Sequence, residues 1–165
     1  MPAITLTVPG DTDVMGYEQM YAWWQAISAQ AAPPYAIYDK PTTDPNKSTT
    51  STTFTDIDAT ANTFNLTVTT TGNPVQISTR LNITGGTNGM YVYIDLLIDG
   101  TSVSGGNGIM VKQFQGTTEY MTFSTTLLNS ALGAGPHTFK LQWRVSNSTA
   151  TLVSTFMNHF SVLEI

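Results

Sequence analysis

Residues 75–100 constrain this chain more than any other stretch. Val75, Ile77, Thr79, Leu81 and Ile83 alternate with Gln76, Ser78, Arg80 and Asn82. That period of two belongs to a strand with one buried face. After a glycine-rich turn, Met90, Val92, Ile94, Leu96 and Ile98 form a second apolar face. Tyr91, Tyr93 and Leu97 occupy the opposite side of the same strand, interrupted by Asp95 and Asp99. A strand apolar on both faces needs cover on both. In a chain of 165 residues, the second cover would come from another subunit or from the chain's own arm. Tyr91, Tyr93 and Leu97 are therefore the expected subunit interface.

Strand signals recur from Phe54 onward. They fall at 53–57, 64–68, 101–104, 109–114, 120–126, 137–145, 150–157 and 160–165. Turn chemistry separates them: Gly72-Asn73-Pro74, Asp99-Gly100, Gly105-Gly106-Asn107-Gly108 and Ser146-Asn147-Ser148-Thr149. Many short strands with such turns predict an all-β, antiparallel sandwich or jelly roll. No segment repeats at a fixed period, which argues against a propeller or solenoid.

The front third reads differently. Ile4, Leu6 and Val8 alternate with Thr5 and Thr7, as in a short strand or an extended arm. Asp13 can cap a helix. Tyr17, Met20, Tyr21, Trp24 and Ile27 then form a helical stripe, with Trp23 on its flank. Pro33-Pro34 stops it, so a helix is expected over 14–31. Tyr35 and Tyr38 extend the aromatic set. Residues 39–53 read DKPTTDPNKSTTSTT, a Pro/Thr linker with no large apolar residue. The expected division is an N-terminal arm, 1–53, and a β domain, 54–165. Trp and Tyr are enriched at binding hot spots. The arm set of Tyr17, Met20, Tyr21, Trp23, Trp24, Ile27, Tyr35 and Tyr38 is thus read as docking on another protein, with packing on its own β domain as the alternative.

Composition narrows the function. The net charge is −5, with six Lys and Arg in all, so the basic footprint of a nucleic-acid binder is missing. No apolar run approaches the roughly 20 residues of a membrane helix, and no secretory signal is visible at the N-terminus. With no cysteine, disulfides, thiolate metal sites and thiol nucleophiles are excluded together. Charged residues make up 10% of the chain, against about 25% in an average domain. Thr and Ser carry the surface polarity instead, and Thr suits the pleat of a sheet.

The candidate sites are sparse. The pairs Asp11/Asp13 and Asp56/Asp58 lack the oxygen density of a calcium loop and read as caps or solvated loops. His137 and His159, the two histidines, are too few for zinc. The glycine-rich GGTNG and GGNG join strands rather than leading into a helix, so neither is a phosphate cradle. There is no nucleophile elbow or metalloprotease motif, and no spacing proposes a carboxylate pair for glycoside hydrolysis. No catalytic residue, metal or cofactor is expected. Four Asn-x-Ser/Thr matches are what a chain this rich in Ser and Thr produces by chance.

The segments PVQISTRLNI, GMYVYIDLLIDGTSV, GAGPHTFKLQWRVSNSTATL and FSVLEI, taken in order, resemble the small jelly-roll domains of tailed-phage virion proteins. More distantly they are similar to the trimeric heads of the tumour necrosis factor and complement type. The resemblance covers about two thirds of the chain; the aromatic helix and linker are not part of it. It implies threefold clustering through one sheet and no catalytic residues. The function it implies is a virion structural protein: a trimeric capsid decoration protein on the virion surface. Such a protein would be made in the host cytoplasm and tied by residues 2–53 to the major capsid protein or another virion protein. The first alternative is the receptor-binding head of a tail fibre, using loops 84–89, 105–108 and 146–149 on cell-surface glycan or protein. The second is a carbohydrate-binding β-sandwich, which would need an exposed Trp23 or Trp143. Trp143 lies on the apolar face of its strand and reads as core.

Overall fold

The computed structural model describes residues 33–117, 119–130 and 132–165. The strand expected at 3–8 and the helix expected at 14–31, with Tyr17, Met20, Tyr21, Trp23, Trp24 and Ile27, lie outside the described residues.

Residues 55–165 hold ten of the observed strands, the longer of them built on alternating side chains. Two more lie upstream: β1 (Tyr35–Lys40) and β2 (Lys47–Thr49). Then follow β3 (Thr55–Asp56), β4 (Asn65–Thr70), β5 (Val75–Gly85), β6 (Tyr91–Ile98), β7 (Thr101–Ser102) and β8 (Met110–Gln113). The chain finishes with β9 (Tyr120–Asn129), β10 (Gly135–Val145), β11 (Ala150–Leu152) and β12 (Asn158–Glu164). All pairings are antiparallel.

The strands form two sheets, an all-β antiparallel sandwich. In the first sheet β5 is central. β9 pairs along one of its edges, and β12 and β11 share the other in succession. β1 lies outside β12 and β2 outside β11. In the second sheet β10 pairs with β6 on one side and with β4 and β3 on the other. β7 and β8 share the far edge of β6. The chain changes sheet at nearly every long connection, so each sheet buries its inner face on the other.

The core follows from the alternation. Val75, Ile77, Leu81 and Ile83 of β5 face Val92, Ile94, Leu96, Phe139, Leu141 and Trp143 of the second sheet, all buried. Trp143 is core, as its strand pattern implies. The β6–β7 hairpin turns on Asp99 (φ 50°) and Gly100 (φ 80°). Two consecutive left-handed residues make the primed turn that matches strand twist, and Asp-Gly is its preferred sequence. The last strand is clasped by Glu164. Its buried carboxylate accepts from Thr71 N at 2.8 Å, Asn73 N at 2.8 Å and the Thr71 hydroxyl at 3.2 Å. These donors outweigh the cost of burial and hold the carboxyl below the ordinary Glu range.

The boundary expected at residue 53 is corrected. The unit containing the sandwich runs from Pro34 to Ile165, and β1 and β2 are strands of its first sheet within the stretch read as arm and linker. The linker reading failed because edge strands need little apolar signal. In β1 only Ala36, Tyr38 and Lys40 turn toward the protein, and β2 is joined to β11 through its backbone. Strand 150–157 is also shorter than expected, ending at Leu152, and β12 begins earlier, at Asn158.

Candidate interaction surface

The second apolar face of β6 lies on the outside of the second sheet. Two neighbours, the loop after β7 and Arg144, cover it unequally. At its middle, Asp95 is 1% exposed. Its Oδ2 accepts from the Ser102 hydroxyl at 2.6 Å and its Oδ1 from Leu96 N at 2.9 Å. Ser102 Oγ in turn accepts from Gly106 N at 2.8 Å, and Ser104 Oγ from Gly108 N at 2.7 Å. The loop after β7 is thereby folded over the outer face. Gly108 (φ +89°) is required there: a Cβ would lie 3.1 Å from the Ile94 carbonyl. Part of the second cover therefore comes from a source the sequence did not suggest, the chain's own 101–108 loop.

At Tyr93 the cover is a cation. Arg144 lies directly across on β10, and its Cζ is 3.6 Å from the Tyr93 ring centre and 5.1 Å from that of Phe54. A guanidinium between two rings is held by the negative faces of both. Further along, Tyr91 has its ring centre 6.3 Å from that of Tyr93 and is 38% exposed. Val111 of β8, paired with Tyr93, is 45% exposed. Leu97 is half-buried. Tyr91, Tyr93 and Leu97 thus share the outer face of β6, and Tyr91 is the most exposed of them. Phe54, Val111 and Arg144 join this surface. Arg144 was visible as an outward residue of its strand, but its seat over Tyr93 depends on cross-strand register.

The described part of the arm-docking set divides. Tyr35 is 65% exposed on the outer face of the first sheet. Tyr38 points inward, edge-on to Phe64 with centroids 4.9 Å apart. Its hydroxyl donates to Asp44 at 3.0 Å, and burial with this carboxylate pushes its pKa well up. Tyr38 is therefore a packing residue of the sandwich.

The other candidates have structural employment. Asp56 takes Lys140 at 3.0 Å and Gln142 at 2.8 Å, and Asp58 takes Lys47 at 2.8 Å. His137 presents Nδ1 to Asp99 at 2.7 Å and Nε2 to the Gly133 carbonyl at 2.7 Å. Two acceptors on one ring favour the doubly protonated form and raise its pKa. His159 pairs with Asp39 at 2.6 Å. Among the described residues, no three His, Asp or Glu converge as a metal site, and no helix is long and apolar enough to cross a membrane.

No family model matches the chain, and no curated protein matches it in sequence. Among solved structures it is similar to the Eiger TNF protein of S. frugiperda, at 8% identity and a TM-score of 0.49, covering 80% of this chain and 93% of that one. It is also similar to a protein of infectious bursal disease virus, Gt strain, at 12% identity and a TM-score of 0.43 over 80% of this chain. The match spans 38% of the viral chain. A pentameric capsid protein from metagenomic phage sequences aligns over 100% of this chain and 85% of its own, at 15% identity and a TM-score of 0.30. At these identities and scores, none of the three bears on role.

Proposed function

We propose that this protein is a structural component of a virion, a homotrimeric capsid decoration protein. The reading rests on its sequence resemblance and its surface rather than on the distant structural likenesses. The observation that carries it is the Tyr91–Tyr93–Val111 face. The sandwich is already closed by its own two sheets, yet this face keeps aromatic and aliphatic groups within reach of solvent, with an arginine among them. Tyr and Arg are the residues that binding hot spots favour. Because Tyr35 and Tyr38 belong to the sandwich, attachment to the major capsid protein or another virion protein falls to residues before Pro33. A protein that binds only the assembled shell stabilises it by mass action.

Two measurements test this. Labelled protein should decorate the capsid lattice of purified particles in electron micrographs, and its mass in solution should be a multiple of the trimer. Tyr91→Ser with Tyr93→Ser should dissociate the trimer without unfolding it. Label confined to tail tips, or a trimer indifferent to both substitutions, would overturn the proposal.

One observation favours the fibre-head reading as a second choice. Loops 84–89 and 146–149 meet, with Gly86 N–H donating to the Thr149 carbonyl at 2.8 Å. Two of the three expected recognition loops thus form one surface. Binding of the isolated protein to host cells or their glycans, without binding to capsids, selects this alternative.

A further inference from the structure

We infer that β9 is the seat of a twofold contact between two copies of this chain, in which the first sheets of both join edge to edge. This goes beyond the virion reading and does not depend on it.

The inference starts from backbone groups. Among the described residues, β9 pairs with β5 alone. Asn82 of β5 sits opposite Thr122. Its N–H donates to Asn158 Oδ1 at 2.7 Å, and its carbonyl accepts from Val153 N at 2.9 Å, both on the far side from β9. The 82–122 pair is therefore a non-hydrogen-bonded one. Backbone groups alternate in direction along a strand, so Tyr120, Thr122, Ser124, Thr126 and Leu128 turn N–H and C=O to the open edge. Lys112 of β8 donates to the Thr122 carbonyl, as that orientation requires. Among the described residues, this flexible amine is the one side-chain donor to the edge.

Natural sheets guard open edges with short strands, charges or proline. Most other outer strands here follow that rule: β1 carries Asp39 and Lys40 beside Pro34 and Pro41, β8 carries Lys112, and β2, β3 and β7 have three residues or fewer, while β4, also uncharged, is only six residues long. β9 has ten residues, no charge and no proline.

Its side chains are self-complementary. With Ser124 on the twofold axis, Ser124 faces Ser124 of the second copy, Thr122 faces Thr126, and Tyr120 faces Leu128. Tyr120 and Leu128 are 61% and 71% exposed in the single chain. Among registers that keep the outward backbone groups in line, only this one sets the two against each other. On the inner side it brings Met121 to Leu127, beside an apolar cleft of about 150 Å³ lined by Leu127, Ile98 and Val103. An uncharged strand pairing with itself opposes no like charges. Only a second copy supplies the same strand in reverse order, Leu128 against Tyr120 and Thr126 against Thr122, which is why it is the occupant.

The chain has no cysteine, so the register can be read by cross-linking the full-length protein. Facing Cα atoms in a hydrogen-bonded antiparallel pair are about 5.5 Å apart, within disulfide reach. Ser124→Cys should give a disulfide dimer under mild oxidation. Thr122→Cys alone should not, since its twin lies four residues away along the strand, about 13 Å. Mixing Thr122→Cys with Thr126→Cys should restore the cross-link. In sedimentation, Ser124→Lys should halve the mass of the wild-type assembly and weaken the contact at least about 100-fold, because two ammonium groups would meet on the axis. A circular dichroism spectrum checks that this variant folds. The proposal is overturned by a wild-type mass of one chain at all concentrations, by equal cross-linking of the 122 and 124 variants, or by an assembly unchanged in folded Ser124→Lys.

Discussion

β6 and β9 are written in similar letters and meet different fates. YVYIDLLI and YMTFSTTLLN both set apolar residues on two sides of a strand. β6 lies between β10 and the β7–β8 pair, with every long side on its inner face buried and a loop and an arginine over its outer face. β9 lies at the rim, where one face is core and one edge has no strand beside it among the described residues. The contrast teaches that outward apolar residues mean different things in the middle of a sheet and at its border. In β6 they are mostly covered by the chain itself, leaving a patch at Tyr91. In β9 they flank backbone groups that no other strand pairs among the described residues.

The sharpest way to break the contrast is to remove equal side chains from both strands. Leu96→Ala on β6 empties a fully buried position and should cost about 2–5 kcal/mol in urea unfolding. Leu128→Ala on β9 should leave the single chain within about 0.5 kcal/mol of wild type while weakening the dimer. If both destabilise the single chain equally, the rim assignment of Leu128 fails.

The next effect concerns the cover of β6. Asp95→Ala strands the Ser102 hydroxyl and the Leu96 N–H, and we expect a loss of about 1–3 kcal/mol. Amide exchange should rise across 101–108 and leave β9 unchanged. Arg144→Ala acts on the same face more mildly. It uncovers Tyr93, should cost about 0.5–1 kcal/mol, and should raise quenching of tyrosine fluorescence by iodide.

The smallest effect is a pH dependence at the end of β6. His137 has its pKa raised above the ordinary 6.5 by Asp99 first and Gly133 second, and Asp99 is held below the ordinary 3.8, chiefly by the His137 hydrogen bond. The histidine's contribution is therefore fully present below the ordinary His range and is lost as pH rises through its raised value. The carboxylate's contribution is lost only as pH falls through its depressed value. Thermal stability should decline slightly above neutrality, and His137→Ala should flatten that slope. A slope unchanged in the variant would assign the titration to another group.

Much of the sandwich was legible in the residues. The strands at 65–85 and 91–98, the hairpin turn at Asp99-Gly100 and the burial of Trp143 all follow from period-two alternation and turn chemistry. β1 and β2 were not legible. YAIYDK follows two prolines and runs into a Ser/Thr-rich stretch, and KST has no apolar residue to announce it. The outer face of β6 was half legible. Tyr91, Tyr93 and Leu97 were visible as an outward apolar set. Phe54 and Arg144 were not visible as their neighbours, since they arrive from positions 39 and 51 residues away from Tyr93.

Alternation of side chains determined which atoms of each strand go inward, because burial acts on side chains and the sequence spells them out. Only the tertiary structure decided which strand lies in the middle and which at the border. Lateral pairing is made by backbone N–H and C=O groups that every residue but proline carries alike, so the letters of β6 and β9 do not reveal who lies beside them.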